Sequence, residues 1–86
     1  MPEICRFYGI IIAMFYDDYN PSHFHARYGK DGVAIEIDSL QVLEGRIPPR
    51  ALGLVMEWAS QHQKELLKNW ELARKNRPPK KIAPLT

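Results

Sequence analysis

Two histidines, His23 and His25, stand one residue apart in the stretch NPSHFHARY, residues 20–28, just after the acidic pair Asp17 and Asp18. The chain has three histidines in all, so this pairing concentrates most of its imidazole chemistry in one place. Residues i and i+2 of a strand project to the same side, so both rings could reach one metal ion. Zinc or another divalent ion would need a third ligand, and Glu36, Asp38 and Asp17 are the candidates. The same neighbourhood also reads as a metal-independent ribonucleolytic site. There His25 would act as general base, Arg27 would neutralise phosphate and Glu36 would orient the imidazole. The plainer alternative is a solvated strand face whose histidines pair with cross-strand carboxylates, each pair contributing about 0.2–1 kcal/mol. The expectation is this last one: an exposed HFH face beside Glu36 or Asp38, with no metal and no cofactor.

The elements that must carry these residues are legible. His23 to Tyr28 alternates polar and apolar, and so does Val33 to Asp38, with GKDG between them. That is hairpin chemistry. With Lys30-Asp31 as the loop, His25 meets Glu36 and His23 meets Asp38. With Asp31-Gly32 as the loop, Arg27 meets Glu36 and His25 meets Asp38. Both registers place His23, His25, Arg27, Glu36 and Asp38 on one polar face, because the side-chain period is two. Both send Phe24, Ala26, Tyr28, Val33, Ile35 and Ile37 to the other. Upstream, GIIIAMFYDD is apolar on both parities from Ile10 to Phe15, the pattern of a strand covered on both sides. Ile4 to Tyr8 reads as a short strand or the first half of a bent one, with Gly9 as the bend. A further short strand is expected near Gln41 to Glu44.

Pro48-Pro49 announces a helix, since proline is tolerated in a first helical turn. From Arg50 to Lys75 the apolar positions Leu52, Val55, Met56, Ala59, Leu66, Leu67, Trp70 and Ala73 recur with helical spacing, and Gln63 interrupts them. A continuous helix of this span would be roughly 40 Å long at about 1.5 Å per residue, more than a small domain's diameter of about 30 Å. It must therefore break near residues 60–64 or project. His62 would sit at that interruption as a helix residue or kink. The fold class is α+β: an antiparallel meander of three to four strands followed by one long or broken C-terminal helix. Residues 1–76 form the domain, and residues 77–86 a basic, proline-containing loose tail.

The bulk properties exclude some function classes. One cysteine, Cys5, rules out an internal disulfide and fits a cytoplasmic location; it is expected to be a buried, inert thiol. The longest apolar run is too short to span a bilayer, and the start lacks the pattern of a secretory leader. Net charge is +2 but uneven: residues 1–60 carry five Lys/Arg against eight Asp/Glu, and residues 61–86 seven against two. Arg74, Lys75, Arg77, Lys80 and Lys81 could grip phosphates of a nucleic acid without reading sequence. They could equally be a solvated helix end favoured by the helix dipole. The doubly apolar strand needs a second cover, which a homodimer, a cognate partner protein or a folded-back helix would supply.

MPEI at the start, FYGI at 7–10, NPSHFH at 20–25, RYG at 27–29, VLEG at 42–45, NWELAR at 69–74 and KKI at 80–82 together carry a resemblance along nearly the whole chain. The sequence resembles a small bacterial family known only as a domain of unknown function, number forty-one sixty. The resemblance implies a toxin–antitoxin-like setting, since members are often encoded beside another small uncharacterised domain. It implies no catalytic residues. One departure is visible: IDSLQVLEG lacks the turn glycine expected there. The leading expectation for function is a cytoplasmic interaction module that binds a partner protein and, through the basic end, nucleic acid. The small ribonuclease and the divalent-metal module through His23 and His25 are the alternatives.

Overall fold

The computed structural model describes residues 2–16 and 18–86. Five strands precede two helices: β1 (Glu3–Phe7), β2 (Ile10–Ala13), β3 (His23–Tyr28), β4 (Asp31–Glu36), β5 (Val42–Arg46), α1 (Pro49–Gln61) and α2 (Gln63–Arg74). The strands form one antiparallel meander in sequence order. The α+β class stands, with five strands where three to four were expected.

The extra strand comes from Gly9. Tyr8 and Gly9 take φ of 48° and 79°, and Phe7 pairs with Ile10. Two successive positive φ values are what a tight two-residue hairpin loop requires, and glycine makes the second one easy. The bend is therefore a full reversal, and β1 lies beside β2. The β3–β4 hairpin uses neither expected loop. Gly29, at φ 62°, and Lys30 make the turn, so that Tyr28 faces Asp31, Ala26 faces Val33, Phe24 faces Ile35 and His23 faces Glu36. The same residues share a face in this third register, because the shift is again by an even number of residues. In the β4–β5 connection Leu40 adopts φ 59° where a glycine was expected. Its N–H donates to the Glu36 carbonyl at 2.9 Å.

The helices pack on the face carrying Phe24, Ala26, Val33, Ile35 and Ile37, all buried. Tyr28, assigned to the same face, stays 41% exposed at its edge. Val55, Trp58, Ala59, Leu66, Trp70 and Ala73 meet this face from the helix side. Trp58 and Ala51 are fully inside although the helical stripe omits them, while Leu52, Met56 and Leu67 are only partly buried. The helix breaks at His62, whose φ/ψ of −132°/24° is not helical. Gln63 makes the break useful: its side-chain amide donates to the carbonyls of Ile37 and Asp38 at 2.8 and 3.1 Å, satisfying the β4–β5 turn. Breaking also keeps the helices within a molecule whose longest extent is 33 Å.

Residues 77–86 are not a loose tail. The Ile82 N–H donates to the Ile4 carbonyl at 2.9 Å, Trp58 Nε1 donates to the Ala83 carbonyl at 2.8 Å, and Ile82 is buried. This segment covers the outer edge of β1, where unpaired backbone groups would otherwise face solvent. No helix among the described residues is long and apolar enough to cross a membrane.

Candidate functional site

While His23, the first residue of β3, lies at the sheet's end within reach of α2, alternation along the strand turns Phe24 and Ala26 toward the helices and His25 and Arg27 toward the opposite face. That face is not the solvated strip expected. His23 is only 8% exposed, its ring 5.2 Å from that of Trp70 in α2. His25 is half-buried, its ring 4.3 Å from that of Phe15. The two imidazoles lie 5.1 Å apart.

Their carboxylate partner is Asp18. The β2–β3 connection brings Asp18 back to the start of β3, with its Oδ2 2.9 Å from His23 Nε2 and 3.2 Å from His25 Nε2. On the far side of its ring, His23 Nδ1 lies 2.7 Å from the Pro21 carbonyl. A carbonyl only accepts, so Nδ1 carries a proton that it donates there, which fixes ring and tautomer. Asp18, His23 and His25 are the described His, Cys, Asp or Glu residues whose ligating atoms converge, all within 4.8 Å of one another.

The expected carboxylates sit elsewhere. Glu36 stands opposite His23 in the ladder, yet its side chain accepts a hydrogen bond from Ser39 at 2.5 Å. Asp38 lies exposed in the β4–β5 turn and is not in the cluster. His25 faces Ala34, so Glu36 does not orient it. Asp17 lies outside the described residues. Asp18, in the acidic pair before the histidines, was not among the expected ligands. The signal available was topological: a connection that ends at His23 must bring its own residues beside the start of β3.

Beyond the histidines, the uncovered sheet face is organised in cross-strand rows. Arg6 pairs with Ile11, Ile11 with Arg27, Arg27 with Gly32, and Gly32 with Arg46. Residues directly opposite in a ladder share a face, so one line across all five strands carries three arginines. All three are exposed. The next row runs Glu3, Ala13, His25, Ala34, Glu44. Small residues there leave a concavity of about 330 Å³, floored by Ile11, Ala13, Phe15 and Ala34 and bordered by His25, Arg27 and Lys30. Ile11 and Phe15 remain half-buried, so the stretch expected to be covered on both sides has an open side among the described residues.

At the β1 end of this face, Arg6 hydrogen-bonds Glu3 at 2.8 and 3.1 Å. That bond holds the Glu3 carboxyl below its usual range and pushes the arginine up. Cys5 is buried, and burial raises its thiol. Arg74, Lys75, Arg77, Lys80 and Lys81 are all exposed where α2 gives way to the C-terminal segment. Lys75, Arg77 and Lys80 join Lys68 around a hollow of about 240 Å³, while Lys81 Nζ donates to the Glu3 carbonyl. His62, at the helix break, lies 2.6 Å from Glu65 and takes no part in the cluster.

A family model described as a domain of unknown function, DUF4160, matches residues 9–71. That span includes β2 to β5, Asp18, both histidines of the cluster, and most of the helices. No curated protein and no solved structure is similar enough to this chain to count as a match.

Proposed function

The chain belongs to this DUF4160 family, and from that premise we propose that it is a small interaction module, one component of a toxin–antitoxin-like pair, that seats an acidic partner protein on its open sheet face. The observation that carries this reading is the row Arg6, Arg27 and Arg46 beside an apolar concavity. Alternate strands carry the arginines, so their backbone positions stand about 9.5 Å apart, twice the strand spacing, with Arg6 itself paired to Glu3. A half-buried apolar floor edged by Arg27 and Lys30, with Glu44 also in its lining, has the composition of a protein-binding core and rim, because arginine adds apolar stem and planar donors together. Ile11 and Phe15 would lose their remaining water contact on docking.

Co-expression with the product of the neighbouring gene should give a stable complex on size-exclusion chromatography. Arg27→Glu combined with Arg46→Glu should weaken it at least tenfold at low salt, while Lys64→Glu on α2 should leave it intact. A chain that stays strictly monomeric and captures no neighbouring product would sink the proposal. A symmetric homodimer lost in the same double variant would name a second copy as the partner instead.

The ribonuclease reading has one observation in its favour: His25 lies between an orienting carboxylate, Asp18, and the cation Arg27. It requires Asp18 where Glu36 was expected. Induced expression should then arrest growth, and His25→Ala should relieve the arrest. Toxicity that survives His25→Ala removes the histidine from any such mechanism. Nucleic acid binding by the basic end would show as a salt-dependent affinity that falls when Lys75 and Arg77 are neutralised.

A further inference from the structure

We propose that Asp18, His23 and His25 form a binding site for a divalent transition-metal ion of the zinc class, with three protein ligands and a fourth position facing the open sheet. The Nδ1–H of His23 is already donated to the Pro21 carbonyl, 2.7 Å away. In the neutral ring the other nitrogen then presents a lone pair, and it presents it to a carboxylate oxygen at 2.9 Å. Two acceptors at that distance need a cation between them: a second proton on the ring, or a metal ion. His25 brings a further ring nitrogen to the same carboxylate oxygen, at 3.2 Å. His25 can meet that oxygen with its own Nε2–H, so the unmet need lies at His23, and a metal ion there would take all three ligand atoms at once.

The dimensions agree. Zinc bonds imidazole nitrogen and carboxylate oxygen at about 2.0–2.2 Å, so the edge of its tetrahedron is roughly 3.4 Å. The two observed donor separations fall short of that edge by a few tenths of an ångström, a gap that side-chain rotation can open. The surroundings match a metal centre as well. The Nδ1 bond from His23 to a backbone carbonyl is the outer contact that metal-binding histidines use to fix their orientation. Trp70 backs His23 and Phe15 backs His25, so bulk water is limited on those sides. Exposure rises from 10% for the His23 side chain to 30% for that of His25, so the cluster opens on the His25 side. His25 borders the concavity over Ile11 and Ala13, and a fourth ligand, water or a group of an arriving molecule, would enter there. Three protein ligands with an open fourth position is the arrangement of reactive rather than purely structural zinc sites.

The test uses the full chain, purified without an affinity tag and stripped with chelator. Zinc titration followed by calorimetry should show one saturable equivalent per chain, and cobalt(II) should develop the intense visible bands of a four-coordinate site. Long-range nitrogen NMR should show zinc moving Nε2 of both His23 and His25, and not Nδ1. Asp18→Asn and His25→Ala should each weaken zinc binding at least tenfold, while His62→Gln should leave it unchanged. His23 packs against Trp70, so the variants rest on Asp18 and His25, with circular dichroism confirming that each is folded. No saturable zinc binding by the wild-type chain, or binding that is indifferent to both variants, would overturn the site and leave a proton as the cation between these groups.

Discussion

Asn69 is 2% exposed, in the middle of α2, and it is the one described buried polar residue besides His23. Its amide donates to the Lys80 carbonyl at 2.9 Å, and its carbonyl accepts from the Lys80 N–H at 2.8 Å. This two-way clasp fixes the start of the segment that carries Ile82 into the core and Ala83 to Trp58. Asn69→Ala removes both bonds, each worth about 1 kcal/mol net. Lys80 is exposed, so water can replace part of that, but loosening the clasp also weakens the burial of Ile82. The expected loss is about 2 kcal/mol. For a domain of this size that is a fall in melting temperature of roughly 8–16 °C. Thermal and urea unfolding followed by circular dichroism would measure it. A cycle with Ile82→Ala adds a sharper condition. If Asn69 acts by holding residues 80–83 in place, the double variant should lose at least 0.5 kcal/mol less than the two single losses added together, on the order expected for coupled neighbours. A loss under about 0.5 kcal/mol for Asn69→Ala, or strict additivity in the cycle, would refute the account of the C-terminal segment as a pinned part of the domain.

Two further outcomes follow from local geometry and burial. Gly45 sits at φ 77°, and a Cβ there would run into the Gly32 carbonyl oxygen across the ladder. Gly45→Ala should therefore cost more than the roughly 1–2 kcal/mol of left-handed strain alone, whereas denaturant unfolding should show Gly53→Ala, in open space inside α1, to be stabilising by about 0.5–1 kcal/mol. Burial raises the Cys5 thiol in the folded chain, so the unfolded thiol ionises first as pH rises. Its stabilising contribution is complete below the ordinary thiol value of about 8.5 and is lost as pH climbs toward the higher folded value. Stability measured against pH should thus fall more steeply above that point for the wild type than for Cys5→Ala, and equal slopes would count against the burial argument.

Features that depend on neighbours a few residues apart were legible before any fold was known. Period-two alternation set which residues of β3 and β4 share a face, and that conclusion survived a register that neither expected loop anticipated. Pro48-Pro49 opened the helix, and the polar Gln63 marked where it breaks. The family was legible too, from motifs spread along the whole chain. The remainder depends on loop closure and on elements that meet from distant parts of the chain. Glu36 and Asp38 were the natural partners for the histidines by strand pairing alone. Asp18 displaced them because the β2–β3 connection must return to the start of β3, and in doing so delivers its own carboxylate there. Trp70, far along the chain in α2, lies against His23 because tertiary packing brings that helix to the start of β3. Residues 77–86 looked loose because proline and charge dominate them. They are held by one buried amide, one indole N–H and one isoleucine, contacts that no local pattern encodes. Parity is a property of the strand, but burial and partnership belong to whatever the rest of the chain brings against it.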